Sequence, residues 1–240
     1  MLVFVSDTHL DASRPQVAAA FFAFLAELSP RTTDALYLLG DVFELWVGDD
    51  DDDPFLLKVQ AELKSLVDRG VPVYFMHGNR DFMINQGFAA RSGVGLISDP
   101  TLIEVSGETV VLAHGDALCT RDQAYQAFRA ESRGRRWYDT VMAKSLAERR
   151  LLGAQLRQQS KTMSSRKPED IMDVSDEAVE KILHENHAVK LIHGHTHRPN
   201  RHQLSANRER IVLGDWDQQA WALYYDKGDW DLRSWSIPTE

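Results

Sequence analysis

Lys190-Leu191-Ile192-His193-Gly194-His195-Thr196-His197-Arg198-Pro199 decides how the rest of the chain is read. Its apolar start predicts a buried strand, and the strand runs into Gly-His-x-His. Side chains two apart along extended backbone share a side. If that geometry continues past the strand, His195 and His197 face one spot. Neutral imidazole is the commonest metal ligand among protein side chains. Two of them at a strand end point to a metal site, provided partners arrive from elsewhere.

Working outward, four other apolar runs end in similar residues. Residues 2–5 lead to Asp7 and His9, and residues 35–39 to Gly40-Asp41. Residues 71–76 lead to His77-Gly78-Asn79-Arg80-Asp81, and residues 108–113 to His114-Gly115-Asp116. Open α/β sheets collect their sites at the carboxyl ends of strands. One histidine there is usually structural. Five strand ends carrying Asp, Asn or His, nearly all beside glycine, are hard to explain by packing. The seven donors are Asp7, His9, Asp41, Asn79, His114, His195 and His197, more than one tetrahedral ion uses, which favours two ions. Asp, Asn and His without Cys suit Mn, Fe or Zn and leave that choice open. Two ions about 3.5–4 Å apart form a clamp for in-line displacement at phosphorus. His77 and His193, inside strands, read as structural or supporting. Asp81 and Asp116 are candidates for orienting ligands or Arg80. His184, His187 and His202 read as surface residues.

The remaining chain punctuates itself. Helices are expected over 15–28, 54–69, about 82–91 and 175–187. A hairpin over 101–113 turns at Ser106-Gly107, and antiparallel strands are expected over 203–206, 210–213, 220–225 and 230–235. Asp49 to Asp53 reads as a solvated loop before the helix that Pro54 opens. Residues 123–168 carry eleven Lys or Arg against three acids, a local balance of +8. Trp137, Tyr138, Val141, Met142, Leu146, Leu151, Leu152 and Leu156 recur there at roughly helical spacing. This predicts a helical insert with a basic face. It is either an ordinary surface helix pair packed on the core or a lid for an anionic amphiphile, and the two are compatible.

Composition bounds the answer. A chain of 240 residues suits one α/β domain or a domain plus an insert, and 43% hydrophobic with 26% charged residues permits a packed core. The net charge of −9 argues against a basic nucleic-acid binder. Cys119 is alone and forms no internal disulfide, which fits a reducing compartment. No basic residue precedes the first apolar run, so no signal peptide is expected. The longest apolar run, residues 17–26, is half the ~20 residues a membrane-spanning helix needs.

Asp7-x-His9, Gly40-Asp41-x-x-Glu44, Gly78-Asn79-Arg80-Asp81, His114-Gly115-Asp116 and Gly194-His195-Thr196-His197 resemble, in order and spacing, the signature of calcineurin-like metallophosphoesterases. The resemblance implies an α/β fold, a four-layer α/β/β/α sandwich, with a core at 1–121 and 169–240 and a helical insert or cap at 122–168. It implies one ion held by Asp7, His9, Asp41 and His197 and a second by Asp41, Asn79, His114 and His195, with Asp41 bridging.

Further stretches, residues 40–50, 114–122, 125–129, 171–174 and 193–199, resemble the UDP-2,3-diacylglucosamine pyrophosphatase family of lipid A biosynthesis over nearly the whole chain. That resemblance implies two Mn2+ ions and water attack at the α-phosphorus, giving UMP and 2,3-diacylglucosamine 1-phosphate. It implies a peripheral enzyme on the cytoplasmic face of the inner membrane; a monomer without nucleic-acid partners is expected. Asp41, Asn79, Arg80, His114 and His195 are the catalytic candidates. Asn79, Arg80, Asp122, Ser160, Ser164, Lys167 and His195 are the implied lipid-sugar contacts. Ser164 stands where the family pattern has Asn, and reaches less far. Arg80 stands where many protein phosphatases carry a proton-donating His. With a pKa above about 12, Arg serves instead as a bidentate clamp on phosphate oxygens, or as a partner for Asp81.

The insert then has a use. Each buried methylene of an acyl chain contributes about 0.8 kcal/mol, so the stripe from Trp137 to Leu156 could form an apolar cleft. Its basic residues could meet anionic head groups, at about 1 kcal/mol each. The rival readings are a soluble metallophosphoesterase for nucleotides or other phosphodiesters, and a non-catalytic binding module. Retention of all seven donors speaks against the second.

Overall fold

The computed structural model describes residues 1–164, 168 and 171–238. Lys167 lies outside the described residues, and so does the side chain of Ser164. In chain order the first half runs β1 (Leu2–Val5), α1 (Pro15–Glu27), β2 (Ala35–Leu39), α2 (Pro54–Asp68), β3 (Val73–Met76), α3 (Gln86–Ser92), β4 (Gly95–Ile97), β5 (Thr101–Val105) and β6 (Glu108–Leu112). Three insert helices follow, α4 (Gln123–Ser132), α5 (Arg135–Met142) and α6 (Leu146–Ser164). The chain closes with α7 (Asp176–Glu185), β7 (Lys190–His193), β8 (Asn200–Ser205), β9 (Arg208–Val212), β10 (Gln219–Asp226) and β11 (Asp229–Ser236).

Period-two burial builds the layers. One sheet has the order β11-β10-β1-β2-β3-β4 and the other β5-β6-β7-β9-β8. Val3 and Val5 of β1, and Leu36 and Leu38 of β2, turn to the core under α1, α2 and α3. Phe4 and Leu39 turn the other way and meet Val110, Leu112, Ile192 and Ile211 of the second sheet. Val111 and Leu191, the alternate positions there, pack on Val179 and Leu183 of α7. Strands buried on both faces must read as continuous apolar runs, which is why these segments stood out in the sequence. The result is four layers, α/β/β/α.

Local chemistry sets the helix ends. Pro15 and Pro54 sit where a missing N–H costs nothing, and Asp53 caps α2 by accepting from Phe55 N at 2.8 Å. Ser175 caps α7.

Several expectations need correction. The helix expected over 82–91 is shorter, because residues 81–84 close a turn (Ile84 N to Asp81 O, 3.1 Å) and Asn85 caps α3. The three-residue β4 gave no periodic signal. β8 begins at Asn200 rather than 203. β8 pairs antiparallel with β9, and β10 with β11, as expected; β9 also lies parallel to β7, and β10 crosses into the first sheet.

The acidic run is not a solvated loop. Asp50 pairs with Arg149, Asp51 and Asp52 pair with Arg150, and Asp49 accepts from Trp46 Nε1, Asn85 N and Phe88 N. Asp50 to Asp52 thereby seat α6, while Asp49 ties the loop to α3. Trp137, Tyr138, Met142 and Leu152 pack against the first core, and Val141 is buried in it. The basic face expected to meet lipid head groups is largely turned inward. Arg129 and Arg133 reach Asp116, and Arg157 reaches Glu44. Among the described residues, Arg136, Lys144 and Lys161 are the insert cations that make no ion pair.

Candidate metal centre and phosphate site

The strands end before the candidate ligands begin. Asp7, His9, Asp41, His195 and His197 all have positive φ, from 45° to 66°. Side chains other than glycine visit this left-handed region rarely, and Asp and His visit it more often than bulky residues. Strain of this kind collects at functional sites. It also corrects the expectation for the organising stretch. Extended geometry stops at His193, so His195 and His197 point to different places.

Two groups result. In the first, His197 Nε2 lies 3.3 Å from Asp7 Oδ1 and 3.2 Å from His9 Nε2, and His9 Nε2 lies 3.9 Å from Asp7 Oδ1. In the second, His114 Nε2 lies 3.0 Å from Asn79 Oδ1 and 3.6 Å from Asp41 Oδ1, with the His195 ring centroid 5.1 Å from that of His114. Asp7, His9 and His197 form one cluster able to hold a metal ion, and Asp7, Asp41 and His114 another. Asp7 is therefore the carboxylate common to both clusters, whereas the resemblance implies Asp41. All seven candidate ligands converge here from the loops after five strands, β1, β2, β3, β6 and β7.

The donor set fits divalent cations. Asp7 Oδ1 is fully buried with no hydrogen-bond partner, a costly state unless something positive reaches it. Its other oxygen is satisfied by Ser6 Oγ (2.5 Å) and His195 N (2.9 Å). Burial pulls the His114 pKa down, but the Asp41, Asp116 and Asp7 carboxylates outweigh it and raise it to about 9. That surplus of negative charge is what bound cations would neutralise. Burial, with the neighbouring His114, lowers His195 to about 4. His114 Nδ1 donates to Leu39 O at 2.9 Å, leaving Nε2 to face the site.

Backbone proximity explains the neighbouring glycines. A Cβ on Gly78 would lie 2.1 Å from Asp41 Oδ1, and one on Gly194 would lie 2.1 Å from Asp7 Oδ2. Asp81 ties two ligand loops together: it accepts from Gly78 N at 2.7 Å and Val42 N at 2.8 Å. Burial and the Asp41 carboxylate push Asp81 up to about 6. Arg80 does not pair with Asp81. Its N–H donates to Asp41 Oδ1 at 2.8 Å and its Nε lies 3.5 Å from Asp41 Oδ2. Its Nε makes no hydrogen bond, so the guanidinium keeps donor capacity for a phosphate.

A cavity of about 500 Å³ opens from these residues into the insert. Asp41, Asn79, Arg80, His195 and His197 form one end. Trp46, Phe82, Phe128, Trp137, Leu152 and Leu156 wall the rest. Asp122 and Ser160 line it too, and Asp122 also caps α4 through Tyr125 N. Ser164 and Lys167 are not placed by the described side chains.

His77 and His193 have structural partners, Ile84 O and Gly194 O, each at 2.9 Å. Burial, partly opposed by the bond to Gly194, lowers His193 from 6.5 to about 3. The unfolded chain then takes up a proton that the folded chain refuses. Stability is complete above about pH 6.5 and falls toward pH 3, by up to about 1.4 kcal/mol per unit from this group. Urea titrations should show that His193→Asn flattens this acid limb. An unchanged slope between pH 6.5 and 4 would remove His193 from the account.

Two residues were missed in the sequence. Tyr125 donates to Asp116 Oδ2 at 2.5 Å and stacks near His195, centroids 6.1 Å apart. Asp215 Oδ2 lies 3.5 Å from His197 Nδ1. Its signal was present: Gly214-Asp215 follows β9 just as Gly40-Asp41 follows β2.

A family model described as calcineurin-like phosphoesterase matches residues 1–199. A protein of Cellvibrio japonicus named UDP-2,3-diacylglucosamine hydrolase is 48% identical over 224 residues, 92% of this chain and 93% of its own length. Proteins of the same name from Stutzerimonas stutzeri and Pseudomonas aeruginosa are 45% and 44% identical, covering 95% and 94% of this chain and 95% of their own length. Among solved structures, a dimetal phosphatase from Danio rerio superposes with a TM-score of 0.56 at 13% identity, over 99% of this chain and 96% of that one. That last likeness is one of fold.

Proposed function

The chain belongs to the calcineurin-like phosphoesterase family, and on that premise we propose that it hydrolyses UDP-2,3-diacylglucosamine to UMP and 2,3-diacylglucosamine 1-phosphate. The observation that carries this reading is the joining of the histidine–carboxylate cluster to an apolar cavity walled by the insert. The names of relatives at 44–48% identity support it. A soluble phosphodiesterase would have no use for a cavity of that character.

Asp7, His9, Asp41 and His197 would hold one ion, and Asp41, Asn79, His114 and His195 the other, with Mn2+ as the proposed metal. When bound, such a pair polarises phosphoryl oxygens and brings the pKa of coordinated water toward neutrality. The chain's own residues do the rest. The Arg80 guanidinium clamps phosphate oxygens. Asn79 and His195 would serve both the metal and the phosphate. Asp122, Ser160, Ser164 and Lys167 are assigned to the lipid-sugar head. The acyl chains enter between Trp46, Trp137 and Leu152, where water is excluded. We assign the cap to residues 122–168.

No helix among the described residues is long and apolar enough to cross a membrane. A peripheral site on the cytoplasmic face of the inner membrane follows from the lipid substrate, and a monomer suffices because the proposed site is built from one chain.

The test is hydrolysis of the diacyl sugar nucleotide with Mn2+ and detergent in ¹⁸O-labelled water. Label should appear in UMP. Chelation should lower turnover by at least about 10³-fold, with Mn2+ restoring it. Absence of UMP, or indifference to the chelator, would falsify the assignment.

A further inference from the structure

We infer that Asp215 and Glu44 are positioning residues, holding the outer nitrogens of His197 and His9 so that both Nε2 atoms aim at the Asp7 carboxylate. The inference rests on the two-ion reading above.

An imidazole that offers one nitrogen to a metal is oriented by what its other nitrogen touches. The three rings facing carboxylates here are held differently. His114 Nδ1 donates to a backbone carbonyl, Leu39 O, at 2.9 Å. That anchor cannot be removed by substitution. His9 Nδ1 is buried and makes no hydrogen bond, and the carboxylate beside it is Glu44, Oε2 at 3.3 Å. His197 Nδ1 faces Asp215 Oδ2 at 3.5 Å. The two imidazoles of the Asp7 cluster are thus the two backed by acids.

Both acids are fixed from behind. Leu213 N donates to His193 O at 2.7 Å and Trp216 N to Asp7 O at 3.0 Å. The short loop carrying Asp215 is therefore pinned to both ligand loops it lies between. Gly214 permits this approach, since a Cβ there would lie 2.4 Å from Trp221 Cδ1. Arg14 Nη2 donates to Trp216 O at 2.6 Å and holds the loop from outside. Glu44 has its second oxygen paired with Arg157 of α6. Its carboxylate is thus trapped between the insert and His9. A surface acid with no task would need none of this.

The experiment is an EPR titration of the full chain with Mn2+ alone, following free Mn2+, alongside thermal midpoints in chelator. Wild type should bind two ions. Asp215→Ala and Glu44→Ala should each weaken one of the two by about 10–100-fold, with the other within about twofold. Asp215→Asn, which keeps the shape and one acceptor oxygen, should fall between. At saturating Mn2+, kcat for bis(p-nitrophenyl) phosphate should recover with KM unchanged. Two wild-type affinities in both alanine variants would overturn the inference, and so would loss of both affinities together with the thermal midpoint. A wild-type chain that binds no Mn2+ would sink the two-ion reading itself.

Discussion

Replacing Asp41 by alanine lowers turnover by at least about 10³-fold, some 4 kcal/mol of transition-state stabilisation. Asp41 is 2% exposed and stands where every part of the site meets. One oxygen accepts from Arg80 N at 2.8 Å and lies 3.6 Å from His114 Nε2; the other lies 3.5 Å from Arg80 Nε. Without it, the proposed bridge between two cations is gone and Arg80 loses the group that aims it. Alanine also sits poorly at a φ of 52°, costing roughly 1–2 kcal/mol in folding. Asp41→Asn avoids that penalty, since Asn tolerates the left-handed region, and should lose nearly as much activity with a thermal midpoint close to wild type. Steady-state rates with Mn2+, read beside thermal unfolding, decide it. Wild-type turnover in a folded Asp41→Asn chain would remove this carboxylate from the mechanism.

The second large effect concerns the cavity. The double change Leu152→Asp with Leu156→Asp should lower kcat/KM for the diacyl substrate by about 100-fold. Both leucines wall the cavity, and an ionised carboxylate there would demand water where an acyl chain should lie. Loss of contact for three or four methylenes, at about 0.8 kcal/mol each, gives about 3 kcal/mol. That is a factor of about 100. Hydrolysis of bis(p-nitrophenyl) phosphate, which carries no acyl chain, should stay within about twofold. Equal losses on both substrates would mean the cavity supports the metal site rather than the lipid. Deleting the insert is a poorer test. It would strip Trp137, Tyr138, Met142 and Leu152 from the first core and leave Asp50 and Asp51 without their arginines.

Much of this was legible in the chain itself. The parallel strands are buried on both faces, so their apolar runs announced them. Their ends carried donors next to glycines, and the glycines are needed because Asp41 and Asp7 press against Gly78 and Gly194. Asp215 carried the same signature after β9 and was overlooked, since the run before it reads Arg-Glu-Arg and looks like an exposed edge. β4 has three residues, too few for any period to register.

The sequence alone determined which residues could bind metal, which faces of the strands are apolar and that a basic helical stretch lies between β6 and α7. Those properties are local, set by side-chain chemistry and a period of two or 3.6. Only the tertiary structure decided which donors lie together, because His195 and His197 part at left-handed backbone angles that no spacing rule foresees. It alone decided that the acids at 50–52 are the seat of Arg149 and Arg150. Charge pairing between segments a hundred residues apart depends on how the chain folds back, and nothing in either segment says where the other will lie.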